Sequence, residues 1–135
     1  MSGIPAKTIW PALAYDDPLA AIRFLVDAFG FEERLVVPGE GEGGVAHAEL
    51  VWPEGGGVML GSANDGGDIS ARPTGSSWAY VVTDEPDRIH DRATAAGAKL
   101  LRELRDEDYG SRGFTVADPE GNVWSFGTYR GAPPT

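Results

Sequence analysis

Short apolar segments alternate with polar ones along this chain, and the order of the segments occurs twice. Residues 8–15 (TIWPALAY) form an apolar run of strand length, in which Pro11 indicates an edge strand or a bulge. Asp16 and Asp17 are followed by Pro18, a combination typical of a helix start. A carboxylate there can accept hydrogen bonds from unpaired backbone N–H groups, and proline at the first helical position has no N–H to leave unpaired.

The segment after Pro18 has the periodicity of an amphipathic helix. Gly30 is expected to end this helix, because glycine readily adopts the left-handed conformation that is common after a helix. Three strands are predicted to follow, at residues 31–37, 45–52 and 57–62. The apolar stripe of the helix recurs at i, i+3, i+4 and i+7 and consists of Ile22, Leu25, Val26 and Phe29.

The second half of the chain predicts the same order of elements. A strand is expected at residues 77–83 and a helix at 86–96, with a thinner apolar stripe than that of the first helix. Further strands are expected near residues 99–105, 112–117 and 122–128. Each half of the chain therefore predicts one βαβββ unit.

Matching residues in the two halves indicate an internal duplication. WPALAYDDP (10–18) aligns with WAYVVTDEP (78–86) at an offset of 68 residues. The Pro-Glu-Gly turns at 53–55 and 119–121 align at an offset of 66, and we attribute their repeated glutamates to turn chemistry. A period of about half the chain length indicates two copies of one unit rather than a solenoid, which needs at least about three repeats.

The predicted fold is α+β, with two tandem βαβββ modules in one domain. Module one covers residues 7–62, a Gly/Ser/Pro-rich linker covers 63–76, and module two covers 77–129. Two sheets that each carry a helix on one side leave two faces to bury. We expect a half-open, curved barrel of mixed sheets around a cleft, with the modules paired within the chain or across a dimer. Small molecules bind preferentially in such concave sites.

The composition excludes several classes of function. The 135-residue chain has 11 basic and 21 acidic residues, a net charge of −10, so nucleic acid and anionic membranes are poor partners. Cysteine is absent, which excludes disulfides, thiolate metal ligands and a cysteine nucleophile. The N-terminus lacks the pattern of a signal peptide, and no apolar run approaches membrane-spanning length. We therefore expect a soluble, cytoplasmic protein.

The duplicated βαβββ unit and the DPEGNVW turn before the last strand resemble the vicinal oxygen chelate superfamily. This superfamily includes glyoxalase I, extradiol dioxygenases, fosfomycin-resistance enzymes and bleomycin-resistance proteins. The resemblance covers nearly the whole chain, and HAEL (47–50) and DPEGNVWSFGTY (118–129) are most similar to its bacterial glyoxalase or bleomycin-resistance-like group. It also implies a homodimer, because modules of this family often pair across subunits. A shared fold does not by itself fix a function.

The resemblance also implies where a metal would be bound. Metal enzymes of the superfamily place a His or Gln in the first strand of each module and a Glu in each last strand. Carried over to this chain, these positions fall on Trp10 and Trp78, and on Leu60 and Ser125. An indole N–H has no lone pair for a metal, and leucine has no donor atom. We therefore predict no metal at the usual centre and no cofactor.

Trp10 and Trp78 have two interpretations. If they face each other across the cleft, they could hold a planar or cationic ligand, with stacking or cation–π contributions of roughly 0.5–2 kcal/mol each. Metal-free bleomycin-resistance proteins hold their drug in aromatic clefts at a dimer interface. Alternatively, the two indoles only fill the space of a metal site, since tryptophan is usually a core residue.

Other residues are candidates for chemistry. His47 and Glu49 lie two apart on a strand and share a face, so they form an acid–base pair if that face lines the pocket and an ordinary surface pair if it faces solvent. Overlay of the two modules places Arg112 at the position of Val45 and Phe114 at the position of His47. Arg112 could meet an anionic group of a ligand, or it pairs with the neighbouring acids. His90 is expected on the exposed surface.

Three functions remain open at this point. The first hypothesis is a metal-independent small-molecule-binding protein that resembles bleomycin-resistance proteins and sequesters a ligand or antibiotic. The second is a lyase, isomerase or dioxygenase of the glyoxalase type, with His47 and Glu49 as acid and base or with a metal at non-standard positions. The third is a scaffold with a vestigial pocket. The predicted ligand-binding residues are Trp10, His47, Glu49, Leu60, Trp78, Arg112, Phe114 and Ser125.

Overall fold

A computed structural model describes residues 9–63 and 73–132 of the chain. The first module consists of β1 (Ala12–Tyr15), α1 (Pro18–Phe24), β2 (Glu32–Pro38), β3 (Val45–Val51) and β4 (Gly57–Ser62). The second consists of β5 (Trp78–Val82), α2 (Pro86–Ala95), β6 (Lys99–Asp106), β7 (Arg112–Ala117) and β8 (Val123–Gly127). Most of the predicted linker, residues 64–72, lies outside the described residues, as does the predicted start of module one.

Each module folds into one four-stranded mixed sheet, and the two sheets have the same topology. The strand orders are β1-β4-β3-β2 and β5-β8-β7-β6. In each sheet the first strand pairs in parallel with the last, and the other neighbours are antiparallel. The prediction of an α+β fold with two βαβββ modules is therefore confirmed.

The first helix begins and ends as its sequence predicts. The Asp17 side chain accepts a hydrogen bond from the backbone N–H of Ala20, and Pro18 occupies the first turn. After α1, a π-helical turn at Leu25–Phe29 continues to Gly30, which has a φ of 96°. A side chain rarely adopts that left-handed conformation, so glycine is favoured at this position.

The two faces of each sheet have different surroundings. Core residues from both modules form one continuous apolar cluster on the side that carries the helices. Alternation along β4 and β8 sends Leu60 and Phe126 into this cluster and Met59 and Ser125 to the opposite side. We call that opposite side the open face of each sheet. No helix in the described part of the chain is long and apolar enough to span a membrane.

The modules are joined through aromatic packing around Phe29. Its ring lies 5.5 Å from the Trp124 ring and 4.8 Å from the Phe126 ring, measured between centroids. Phe31 adds a contact of 5.6 Å to Trp124. Because Phe29 and Phe31 belong to the first module and the other two rings to the second, burial of each module's apolar surface depends on the other.

The two repeated turn glutamates also join the modules. We attributed their repetition to the chemistry of the turns, and the structure shows instead that each one contacts the other module. Glu120 accepts hydrogen bonds at 2.8 and 2.9 Å from the backbone N–H groups of Asp16 and Asp17, just before α1. Glu54 accepts one at 3.0 Å from the N–H of Asp84, just before α2. Each glutamate therefore binds the start of the other module's helix, where unpaired N–H groups favour an anion.

A buried polar cluster lies where β1 meets the turn before β8. Oδ2 of Asp118 accepts hydrogen bonds from the Tyr15 hydroxyl at 2.7 Å and from Trp124 Nε1 at 3.1 Å. Asp118 is 5% exposed and Tyr15 is 1% exposed. Burial, with the adjacent Asp118 carboxylate, raises the pKa of the Tyr15 hydroxyl well above its ordinary value. Tyr15 therefore remains a neutral hydrogen-bond donor to Asp118.

Candidate functional site

A recess of about 200 Å³ lies on the open face of the second sheet, beside Trp78. The Trp78 side chain is placed there by β5, and the residue is 76% exposed. Its Nε1–H donates to Ser125 Oγ at 3.0 Å, and Ser125 Oγ lies 2.9 Å from Thr115 Oγ1. Since the indole already donates to Ser125, one of the two hydroxyl hydrogens is left for a group in the recess.

Two tyrosines, Tyr80 and Tyr109, also line the recess. The Tyr80 hydroxyl donates to the backbone carbonyl of Tyr129 at 2.7 Å, and the rings of Tyr109 and Tyr129 meet edge to face at 5.9 Å. A Cβ atom on Gly127 would lie 2.8 Å from the Tyr80 hydroxyl, so glycine leaves room for this ring. Burial raises the pKa of the Tyr80 hydroxyl, which keeps it protonated.

Two charged side chains line the recess, Arg102 and Glu107, and they pair with each other. Arg102 and Arg105 both contact Glu107, with N–O distances of 3.1 and 3.0 Å. Both arginine side chains are about half exposed. The recess is therefore lined by aromatic side chains and hydroxyls, with one paired arginine at its edge.

The open face of the first sheet carries the predicted His47–Glu49 pair. His47 Nε2 lies 2.8 Å from Glu49 Oε2, and the side chains are 39% and 26% exposed. A register shift near Pro38 lets Val45 enter the core while both polar residues stay on the open face. The pair is thus half-buried and reachable from solvent.

Trp10 packs within its own sheet. A Cβ atom on Gly57 would lie 2.9 Å from Trp10 Cζ3, so the indole covers this glycine. The recess beside Trp78 is lined by residues of the second module. The structure thus gives the two tryptophans different surroundings, one half-buried over Gly57 and one exposed beside Ser125.

Two predicted binding residues, Leu60 and Phe114, belong to the core, although Phe114 also lines the recess beside Trp78. They are 3% and 2% exposed, respectively, and Phe114 stacks on Phe126 at 5.2 Å. The residues that take their places on the open faces are Met59, equivalent to Ser125, and Thr115, equivalent to Glu49. The predicted alignment was wrong by one residue on these strands, and one residue turns a strand side chain to the opposite face.

Arg112 pairs with acids, which is the second of its two interpretations, and it does not line the recess as the first required. Its guanidinium donates to both carboxylate oxygens of Asp87 at 2.8 and 3.0 Å, and to Asp106 at 3.3 Å. These hydrogen bonds lower the pKa of Asp87. The ion pair between Arg112 and Asp87 therefore connects β7 to α2.

The polar neighbours of His90 predicted that it lies on the exposed surface, and this prediction is wrong. Its side chain is 19% exposed, and its ring meets Phe114 edge to face at 5.3 Å. Thr115, Tyr80 and Tyr109 line the recess and were not predicted from the sequence. For Thr115 a signal was present, because the offset of 66 from the Pro-Glu-Gly turns aligns it with Glu49.

The residues at the four metal positions that the resemblance implies do not fit a divalent metal. With Met59 in place of Leu60, the side chains are two indoles, a thioether and a hydroxyl. Indoles lack a lone pair for a metal, and a thioether favours soft ions such as Cu(I). Nowhere in residues 9–63 and 73–132 do three His, Asp or Glu side chains converge as a metal site requires.

Comparisons with known proteins agree with this architecture. The family model described as Glyoxalase/Bleomycin resistance protein/Dioxygenase superfamily matches residues 8–126. An uncharacterized protein of Mycobacterium tuberculosis is 36% identical over 126 residues, covering 87% of this chain and 71% of that protein. The crystal structure of TioX from Micromonospora sp. ML1 has a TM-score of 0.76 and 32% identity, covering 90% of this chain and 98% of that one.

A more distant structure shows the same fold. A superfamily member from Sphaerobacter thermophilus has a TM-score of 0.70 at 18% identity, covering 91% of this chain and 97% of that one. The duplicated modules, their sheet topology and the match over residues 8–126 lead to one conclusion. The chain belongs to the Glyoxalase/Bleomycin resistance protein/Dioxygenase superfamily.

Proposed function

We propose that this protein binds a small planar ligand in the recess beside Trp78 and holds it without metal and without chemical conversion. The observation that carries this proposal is the exposed Trp78 indole, whose orientation is fixed by its hydrogen bond to Ser125. An orientated aromatic face with hydroxyls beside it is suited to stacking on a ring and to donating one hydrogen bond.

The ligand class follows from the same surroundings. Trp78, Tyr80 and Tyr109 offer aromatic surface, and Thr115 or Ser125 offers a hydroxyl. Stacking and cation–π contacts of this kind contribute roughly 0.5–2 kcal/mol each. The net charge of −10 favours a cationic ligand over an anionic one. A planar aromatic compound with a positive charge fits these properties best.

Replacing Trp78 with alanine should weaken binding by about tenfold, since it removes one stacking surface worth roughly 1–1.5 kcal/mol. Binding is measured by tryptophan fluorescence titration against a panel of planar cationic compounds that includes bleomycin, with the compound recovered and checked for conversion. The matched control is Trp10→Phe, which changes an indole that packs over Gly57 on the other sheet.

Two outcomes would change the proposal. Unchanged affinity in Trp78→Ala for every compound that binds the wild type would exclude the recess as the site. Equal weakening by Trp10→Phe would place the ligand between the two indoles, as the first interpretation of the sequence predicted.

A second copy of the chain is the partner that we propose for the open faces. Leu35 and Val37 on the first open face and Trp78 and Tyr80 on the second are 40–76% exposed. Pairing of these faces would bury this apolar surface and enclose the recess. We expect light scattering at micromolar concentration to give twice the chain mass of 14.3 kDa, which is 28.6 kDa. A mass of 14.3 kDa would contradict this assembly.

The second candidate function is an enzyme of the glyoxalase type, and the His47–Glu49 contact favours it. A carboxylate 2.8 Å from an imidazole nitrogen can stabilise the imidazolium and so assist proton transfer. Both groups are reachable from solvent, and therefore from a substrate on the open face.

Glu49→Gln separates this enzyme from the binding protein. If the pair is catalytic, we expect turnover of any substrate found to fall by about 10²–10⁴-fold, the range typical of general acid–base catalysis. Binding of recess ligands should stay within twofold of the wild type. Unchanged turnover in Glu49→Gln would remove this pair from the mechanism.

A further inference from the structure

A second cavity lies between the two modules, on the core side of the sheets. Its volume is about 230 Å³, and its walls include Phe31, Trp52, Val58 and Val81. The first three of these are at most 7% exposed. We call it the inter-module cavity. The Trp78 recess lies instead on the open face of the second sheet and shares one lining residue, Tyr80, with this cavity.

The cavity arises from an asymmetry between the two copies of the repeat. The turns before β4 and β8 have the same hydrogen bonds, from Trp52 N–H to the Gly56 carbonyl and from Asp118 N–H to the Asn122 carbonyl, both at 2.9 Å. These bonds align Gly56 with Asn122. The residues that follow are Gly57 and Val58 in the first turn and Val123 and Trp124 in the second.

At each of three aligned positions, the turn of the first module has a smaller residue than the turn of the second. Where the second module has Asn, Val and Trp, the first has Gly, Gly and Val. In the second module Asn122 binds Ser77 at 2.8 Å, and Trp124 is fully buried. In the first, Gly56 has no neighbour within 4 Å of a Cβ position, and Val58 lines the cavity. The space occupied by side chains in one copy is open in the other.

The strand edge beside the cavity supplies polar groups. β5 is an edge strand, and the two residues that flank it, Ser77 and Thr83, each direct a backbone group toward β8. Because backbone groups alternate along a strand, Tyr80 and Val82 direct theirs away from β8. The Val82 carbonyl accepts a hydrogen bond from Trp52 Nε1 at 2.9 Å. The backbone N–H and C=O of Tyr80 have no hydrogen-bond partner among the described residues.

We propose that the inter-module cavity binds a small aromatic molecule of about the size of indole, with one polar group that pairs with the Tyr80 backbone. Aromatic walls favour a planar ring by edge and stacking contacts. A dry apolar cavity of about 150 Å³ already holds benzene, so about 230 Å³ admits a larger ring system. The exposed residues Pro11 and Gly56 border the cavity and leave it open to solvent.

Indole itself is the probe that tests this site. We expect its titration into ¹⁵N-labelled protein to shift, saturably, the Trp52 Nε1–H and the backbone N–H signals of Tyr80 and Val82. Val58→Leu should weaken this binding several-fold, and Val58→Phe by at least tenfold, because each fills part of the cavity. Thermal unfolding checks that both variants are folded. If Val58→Phe does not fold, the affinity of Val58→Leu for indole tests the proposal alone.

Trp78→Ala is the control that separates this site from the recess. Indole binding at the Trp52 and Val82 signals should stay within twofold in this variant, whether or not the recess binds a ligand. The proposal is overturned if indole produces no saturable shift at Trp52, Tyr80 or Val82. It is equally overturned if a folded variant at Val58 binds indole as tightly as the wild type does.

Discussion

Replacing Asp118 with asparagine should lower the free energy of unfolding by about 3 kcal/mol, as expected when a buried, charged hydrogen-bond acceptor is lost. Oδ2 of Asp118 accepts from Tyr15, Asn122 and Trp124, and Oδ1 accepts from the backbone N–H groups of Glu120 and Asn122. An amide replaces one of these acceptor oxygens with an NH₂ group. At least two buried donors then face another donor.

Urea unfolding followed by tryptophan fluorescence measures this loss. Glu54→Gln is the control, because it also neutralises a turn carboxylate but at an exposed position, and we expect it to cost less than about 1 kcal/mol. A loss below about 1 kcal/mol in Asp118→Asn would show that the buried cluster contributes little to stability.

Replacing Phe29 with alanine should lower the free energy of unfolding by about 4 kcal/mol, within the range for a fully buried phenylalanine. Phe29 is 0% exposed, and its ring contacts Phe24 at 5.3 Å in addition to Trp124 and Phe126. Removal of the ring leaves a cavity between the modules, and the surrounding aromatic rings cannot fully close it. Both modules should therefore be destabilised together.

Calorimetry and urea unfolding test this coupling. Leu19→Ala on α1 is the control, since Leu19 is 41% exposed and its truncation should cost less than about 1 kcal/mol. We expect one cooperative transition in Phe29→Ala, shifted to lower temperature. Two separate transitions, or a loss equal to that of Leu19→Ala, would contradict a shared core.

Local patterns in the sequence predict the module plan well. The Asp-Asp-Pro start of α1, its apolar stripe and the end at Gly30 each depend on neighbouring residues only. The same holds for the short strands and for the repeat that relates the two modules. Such local preferences are present in the chain before any tertiary contact forms, and so a reading of the sequence recovers them.

The candidate site depends on which way each strand residue faces, and local pattern does not determine this. An error of one residue in alignment placed Leu60 at the site, although its side chain lies in the core. The register shift near Pro38 in β2 likewise changes which β3 residues share a face. Only the pairing of strands decides register, since both faces of these strands carry apolar residues.

The sequence did not predict contacts between residues far apart in the chain, for a similar reason. Arg112 pairs with Asp87, 25 residues away, and Glu120 binds the backbone of Asp16, 104 residues away. His90 is covered by the ring of Phe114 from a different element. A charged residue among polar neighbours has the same local pattern whether it faces solvent or another element.

The sequence by itself determined the two βαβββ modules, the helix boundaries and the resemblance to the superfamily, because these depend on residues close together in the chain. The tertiary structure alone decided that Trp78 is exposed beside Ser125 and Thr115 while Trp10 covers Gly57. It also decided that the smaller turn of module one leaves a cavity between the modules. These features arise from strand register and from packing between elements distant in sequence, which no local pattern encodes.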